Sequence, residues 1–134
     1  MSVIDRLEAI VSTPASPNGP APRETIDIDS ALSLLANGRR RQTIRYAIDE
    51  TDGEFDLVDA TEYIATEQYG PEYTSSERKR VYISLYQTHL PELVEAGVLD
   101  RVDDGPGHTF RVDDAAQPLY DVLEATAARL GGDV

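Results

Sequence analysis

The residues best suited to chemistry lie in the stretch "SSERKRVYISLYQTHLPELVEAGVL". Arg78, Lys79 and Arg80 are cationic. Ser84, Gln87 and Thr88 are short and polar. Such side chains hold phosphate oxygens and hydrogen-bond to base edges, so the chemistry they suggest is recognition of a nucleic acid rather than bond making. At about 100° per residue, Val81, Tyr82, Leu85 and His89 fall on one side, with Tyr86 and Leu93 at its edge. Glu77, Arg80, Ser84, Gln87 and Thr88 collect on the other. The first side should pack on a core and the second should face outward. A solvated helix face is the plain alternative for that second side.

Other bases extend the pattern. Arg39, Arg40, Arg41 and Arg45 share one segment, while Arg101, His108 and Arg111 flank the turn "DDGPGH". Nine of the twelve Lys and Arg residues thus fall in three places where a DNA-binding domain could meet phosphates. Asp100, Asp103, Asp104, Asp113 and Asp114 surround the same turn, which makes its tip acidic and works against phosphate binding.

Catalytic patterns are missing. No Ser/His/Asp arrangement or phosphate-binding Gly loop is present, and the "GPG" sequence reads as a turn. With no Cys, thiolate ligands, disulfides and a Cys nucleophile are excluded. Two His residues are too few for a zinc site without carboxylates; His89 reads as a packed helix residue and His108 as exposed. Acidic pairs are too common for one to stand out as general acid and base. The expectation is a protein that is not an enzyme and needs no cofactor or metal.

A net charge of −13 comes from 25 acids against 12 bases, of which a single one is Lys. The acids spread along the whole chain. At ~1 M salt the Debye length is about 3 Å, so such a surface costs little in a salt-rich cytoplasm. The composition therefore points to an extreme halophile. No apolar run approaches a membrane span and no signal peptide is visible, so the chain is expected to be soluble and cytoplasmic.

The elements that must position these residues follow from local signals. Residues 1–11 read as a short amphipathic helix with Ser2 as its cap, and residues 12–25 as a Pro-rich flexible linker. The folded domain spans 26–114. Asp29 or Ser30 is expected to cap a short helix containing Leu32 and Leu35, closed at Asn37-Gly38. "RRRQTIRYAIDE" is a second helix with Ile44, Ala47 and Ile48 inward. A short extended piece follows "TDGEF". Asp56 then caps a third helix with Leu57, Ala60, Tyr63 and Ile64 as its stripe. Thr74 and Glu77 form a capping box for the long helix. Pro91 should kink it near Gln87, and Gly97 should be its C′ residue. "VLDRV" and "TFRV" are hairpin strands, with Leu93, Val98 and Phe110 anchoring the helix-to-hairpin junction. Residues 115–134 carry a closing helix, with Pro118 in its first turn, Leu119, Val122, Leu123 and Leu130 inward, and a Gly131-Gly132 stop. Two helices joined by a tight turn and followed by a hairpin make a winged helix-turn-helix: mainly α, with a small β-hairpin wing.

"ALSLLANGRRRQTIRYAI" resembles the opening helices of ArsR-like winged-helix regulators, and "QTHLPELVEAGVLD" resembles the end of their recognition helix and the first wing strand. The longer string from Ser75 to Asp100 resembles an uncharacterised haloarchaeal winged-helix-like domain family. The resemblance covers about residues 28 to 112. It implies a winged helix, a homodimer, and binding of double-stranded DNA in transcription control, with Ser84, Gln87 and Thr88 facing the DNA. The cysteines of metal-sensing ArsR-like proteins are absent, which argues against metal sensing. Arg78, Lys79, Arg80, Arg101, His108 and Arg111 complete the expected contact set. The alternative is a winged helix that binds a protein partner and not DNA.

Overall fold

The computed structural model describes residues 26–102 and 108–131. The expected N-terminal helix, the linker, the tip of the hairpin turn and Gly132 lie outside the described residues. Helix α1 (Ile28–Leu35) starts on Asp27, whose carboxylate accepts from the Ser30 N–H. The expected cap, Asp29 or Ser30, is therefore displaced. In "DIDS" three residues can cap, and the winner is the one that lets Ala31 and Leu34 bury together while Leu32 stays outside.

Asn37 does more than end α1. Its side chain caps α2 (Gly38–Asp49) by accepting from the Arg39 and Arg40 N–H groups. Ile44 and Ala47 are buried as expected and Ile48 is half-buried; Thr43 and Tyr46 are buried as well. The buried Thr43 hydroxyl donates to the Arg39 carbonyl, so its burial leaves no orphan. Strand β1 (Glu54–Asp56) leads to α3 (Leu57–Tyr69), capped by Asp56 as expected. Helix α4 (Ser75–Ser84) opens with the Thr74/Glu77 capping box, both hydrogen bonds of which are made.

The expected kink at Pro91 takes a specific form. Leu85–His89 is a π-helical turn, with the Leu90 N–H donating to the Leu85 carbonyl, before the helix resumes as α5 (Leu90–Glu95). A proline at position 91 has no N–H for the Gln87 carbonyl and its ring crowds that oxygen. Widening the turn moves the carbonyl aside without ending the helix. At the far end, Val98 N–H bonds to Leu93 O at 2.9 Å and Gly97 N–H to Val94 O at 3.1 Å. Gly97 has φ +82°, so the pattern is a Schellman stop with the expected glycine at C′.

Strands β2 (Leu99–Arg101) and β3 (Thr109–Val112) follow, and the sheet is antiparallel in the order β1-β3-β2. The expected two-stranded hairpin thus gains a third strand. The register sets Phe55 opposite Phe110, both buried, with ring centroids 5.9 Å apart; that apolar pair is the reason for β1 to dock there. Leu93, Val98 and Phe110 are each at most 2% exposed, as the junction requires. Phe110→Ala would cost about 3–5 kcal/mol.

Helix α6 (Ala116–Leu130) ends at Gly131, where φ is +73°. It packs on α2, where the Tyr120 hydroxyl donates to Asp49 and Arg45 lies beside Glu124, and its buried side is Ala116, Leu119, Leu123 and Ala127. Val122 and Leu130 are exposed, against expectation, and Ala116 and Ala127 take their places. The inward positions hold alanine near the ends of the contact, which a search for large apolar residues misses. Together the described residues form a mainly helical body with one small antiparallel sheet.

Candidate nucleic-acid interface

Helix α4 and the π turn are fixed from behind by Val81, Leu85 and His89, all buried. Helix α3 packs along α4 across the "GPEY" turn, where Gly70 takes φ +94°. What this leaves outward is Lys79, Arg80, Ile83, Tyr86, Gln87 and Thr88, all exposed. The long helix therefore presents two cations, two polar side chains and two apolar ones on its open side.

The other expected contact residues are placed differently. Arg78 is half-buried and sits 3.4 Å from the Glu62 carboxylate on α3. Ser84 is half-buried; its hydroxyl accepts from Arg39 Nη1 at 3.0 Å and donates to the Val81 carbonyl. It thus serves as a strut between α2 and α4. Arg111 pairs with Asp100 at 3.2 Å, because the β2–β3 register sets these two residues opposite each other. The exposed Arg101 lays its guanidinium 5.1 Å from the centre of the Phe110 ring. His108 is half-buried, 5.1 Å from the Tyr86 ring, and Tyr86 in turn stacks along Tyr82. The His108 carbonyl accepts from the Leu57 N–H, so this histidine joins the sheet to the start of α3 and to the exposed side of α4. Lys79, Arg80, Gln87 and Thr88 thus share one open surface. His108 borders it through Tyr86, while Arg78, Arg101 and Arg111 are engaged by neighbours.

The α2 bases, expected to reach outward, turn inward instead. Arg39 donates to Gln68, Ser84 and the Tyr69 hydroxyl at 2.9, 3.0 and 3.2 Å. Arg40 donates to the carbonyls of Leu34 and Ser33 and pairs with Glu92 at 2.7 Å. Arg41 donates to the Leu35 carbonyl at 2.7 Å. Arg45 lies 2.9 Å from Glu124 on α6, although both Arg45 Nε and Glu124 Oε2 lack an aligned hydrogen bond; we read this pair as a charge contact. Each partner lies on another element or before the helix start. Nothing in the local sequence identifies Gln68, Tyr69 or Glu92 as its acceptor.

His89 is 6% exposed, and its Nδ1 lies 3.2 Å from Arg40 Nη1. A guanidinium only donates, so Nδ1 must accept and the ring proton sits on Nε2. Burial pushes the His89 pKa below the ordinary imidazole value. Arg40 and, more weakly, Arg39 push the same way, and Glu92 opposes them. His89 is thus a neutral, packed histidine. Among the described residues no three His, Asp or Glu side chains come together to hold a metal ion, and no helix is long and apolar enough to cross a membrane.

Residues 32–105 match the family model described as a domain of unknown function, DUF7344. The match runs from within α1, through α4 and α5, past β2. No curated protein and no solved structure matches the chain. The matched segment is more than half of the 134 residues and contains the whole α3–α4 pair, so the chain belongs to the DUF7344 family.

Proposed function

We propose that this protein is a DNA-binding transcriptional regulator of winged helix-turn-helix type, working in a salt-rich archaeal cytoplasm. The observation that supports it best is the exposed strip Lys79, Arg80, Gln87 and Thr88 on a helix held from behind by the core. An α-helix fits the major groove, where Gln and Thr hydrogen-bond to base edges and Lys and Arg take phosphates. In this reading α3 and α4 are the helix-turn-helix pair, and β2 and β3 are the wing. With few exposed cations among the described residues and a net charge of −13, direct contacts carry more of the affinity than counterion release does. The test is a gel shift in molar KCl with the protein's own upstream region. Arg80→Ala and Gln87→Ala should each weaken binding without changing the melting temperature. Unchanged affinity in both would exclude this helix as the reader.

A second reading, a winged helix that binds a protein, draws support from Ile83 and Tyr86. These are 40% and 48% exposed in the middle of the strip, where a partner could bury them. A pull-down at native salt that yields a stoichiometric protein and no DNA would favour it. The homodimer belongs to the first reading. The outer side of α6, with Val122 and Leu130 exposed, is where we look for it, and light scattering of Val122→Asp would report its loss.

A further inference from the structure

Arg39 and Arg41 stand out in a chain with twice as many acids as bases. Both are half-buried, and among the described residues both are held only by neutral acceptors. Arg39 has Gln68, Tyr69 and Ser84; Arg41 has the Leu35 carbonyl, and its Nε is buried with no partner among the described residues. Taking a cation out of water without a counter-charge is unfavourable. The two line one cavity of about 450 Å³, open to solvent, with Asn37, Gly38, Gln42, Gln68 and His89. Among the described residues no Asp or Glu lines it; the nearest acid that bears on His89, Glu92, is engaged by Arg40.

The buried His89 adds a second, separate pointer. Its Nδ1 is taken by Arg40, which leaves an Nε2–H donor with no partner among the described residues, on a side chain that borders the cavity. Donors thus converge from three elements: guanidinium groups from α2, an amide from the end of α3 and an imidazole from the π turn. The N-terminal N–H groups of Arg39 and Arg40 are already taken by Asn37, so side chains carry the site. A tetrahedral oxyanion accepts from several directions at once and suits this layout better than a planar or monatomic anion. The volume leaves room for part of whatever carries it.

We propose that this cavity binds a phosphate group, gripped by Arg39 and Arg41 and flanked by Gln42, Gln68 and His89. The inference does not rest on the DNA reading. The phosphate is either free, on a small molecule or as the inorganic ion, or part of a nucleic-acid backbone. The site explains why two arginines of an acid-rich chain have no carboxylate partner among the described residues, and why the widened turn at Leu85–His89 carries a buried imidazole.

The test is an amide NMR titration of the full chain with inorganic phosphate at constant molar KCl. Saturable shifts confined to residues 37–42, Gln68 and His89 are expected. Gln42→Glu adds a carboxylate at the rim without touching a core side chain, and should weaken binding about tenfold or more, as loss of one charge-assisted contact would. Arg41→Gln should do the same, and if it fails to fold, Gln42→Glu decides alone. Shifts that grow linearly with phosphate, or that saturate equally in wild type and Gln42→Glu, would overturn the site. A short DNA duplex in a second arm distinguishes the sources. If it moves the cavity resonances and competes with phosphate, the backbone supplies the group. If it leaves them still while phosphate saturates, the ligand is free phosphate. A duplex that binds nowhere, with phosphate still bound in the cavity, upholds the site and removes the DNA reading.

Discussion

Two runs of three bases, Arg39–Arg41 and Arg78–Arg80, look alike in the chain, but the fold uses them in opposite ways. In the first, every guanidinium makes at least one hydrogen bond to another part of the protein. In the second, Arg78 leans on Glu62, while Lys79 and Arg80 stand exposed. The first run sits where α2 begins, against the ends of α1 and α3 and the π turn. There, carbonyls left without partners at the α1 C-terminus and polar side chains of α3 and α4 need donors. The second run follows a helix start that Thr74 and Glu77 already satisfy, so its bases have no such duty. A basic residue becomes a strut or a probe according to the unsatisfied acceptors around it, and a count of bases cannot tell the two apart.

The comparison breaks first at Arg40. Arg40→Ala removes bonds to two carbonyls, the Glu92 pair and the donor for His89. We expect a loss of about 2–4 kcal/mol in stability. Arg80→Ala, at an exposed position, should stay within about 0.5 kcal/mol. Denaturant midpoints of the two variants measure the contrast, and equal losses would mean that the two runs are alike after all.

How much of this was legible in the sequence depends on the range of the signal. Asp56, the Thr74/Glu77 box, Gly97 and the burial of Val81, Leu85 and Leu93 are local: a cap or a periodic stripe is written within a few residues of where it acts. The cap of α1 was misplaced because "DIDS" offers neighbouring candidates, and only packing chooses among them. The third strand depends on Phe55 meeting Phe110, fifty-five positions away, and periodicity carries no information at that distance. Pro91 announced a disturbance but not its form. Of the candidate contact residues, exposure of Arg80, Gln87 and Thr88 followed from the wheel, which did not place Lys79. The diversion of Ser84 to Arg39 and of Arg111 to Asp100 needed the neighbouring elements.

Gly97→Ala sharpens the comparison by disturbing the end of the same helix while leaving both basic runs in place. A Cβ at Gly97 meets nothing closer than Ala115 at 4.0 Å, so the cost is the backbone at φ +82°, about 1–2 kcal/mol. Thermal melts should show that loss, and DNA affinity below the melt should hold if recognition lies in α4 and not in the junction.

Arg80→Ala has a smaller effect, on affinity alone. If Arg80 holds one phosphate, the slope of log affinity against log salt should fall by about 1. Arg39→Gln tests the other run by the same readout. As a strut between α2, α3 and α4 it should lower stability. It should change the salt slope only if the cavity it lines takes a backbone phosphate.

His89 gives the smallest effect, and one whose sign is set by its surroundings. Arg40 and Arg39 from α2 and Glu92 from α5 are the charges that act on it, and burial is the largest influence. Its folded pKa lies below the ordinary 6.5, so between the two values the unfolded chain holds more of the proton. The stability contributed by the neutral ring is complete above pH 6.5 and declines as pH falls through that window toward the folded value. Protonation of carboxylates also reduces the self-repulsion of a −13 chain over a lower pH range, which acts in the opposite direction. The measurement is therefore a difference. Denaturant melts of wild type and His89→Gln, compared point by point from pH 7.5 down to 5, cancel what the two share. The wild type should lose ground to the variant as pH falls. A constant gap would mean that the ring is not held neutral, and then Nε2 would no longer be fixed as the proton-bearing nitrogen beside the cavity.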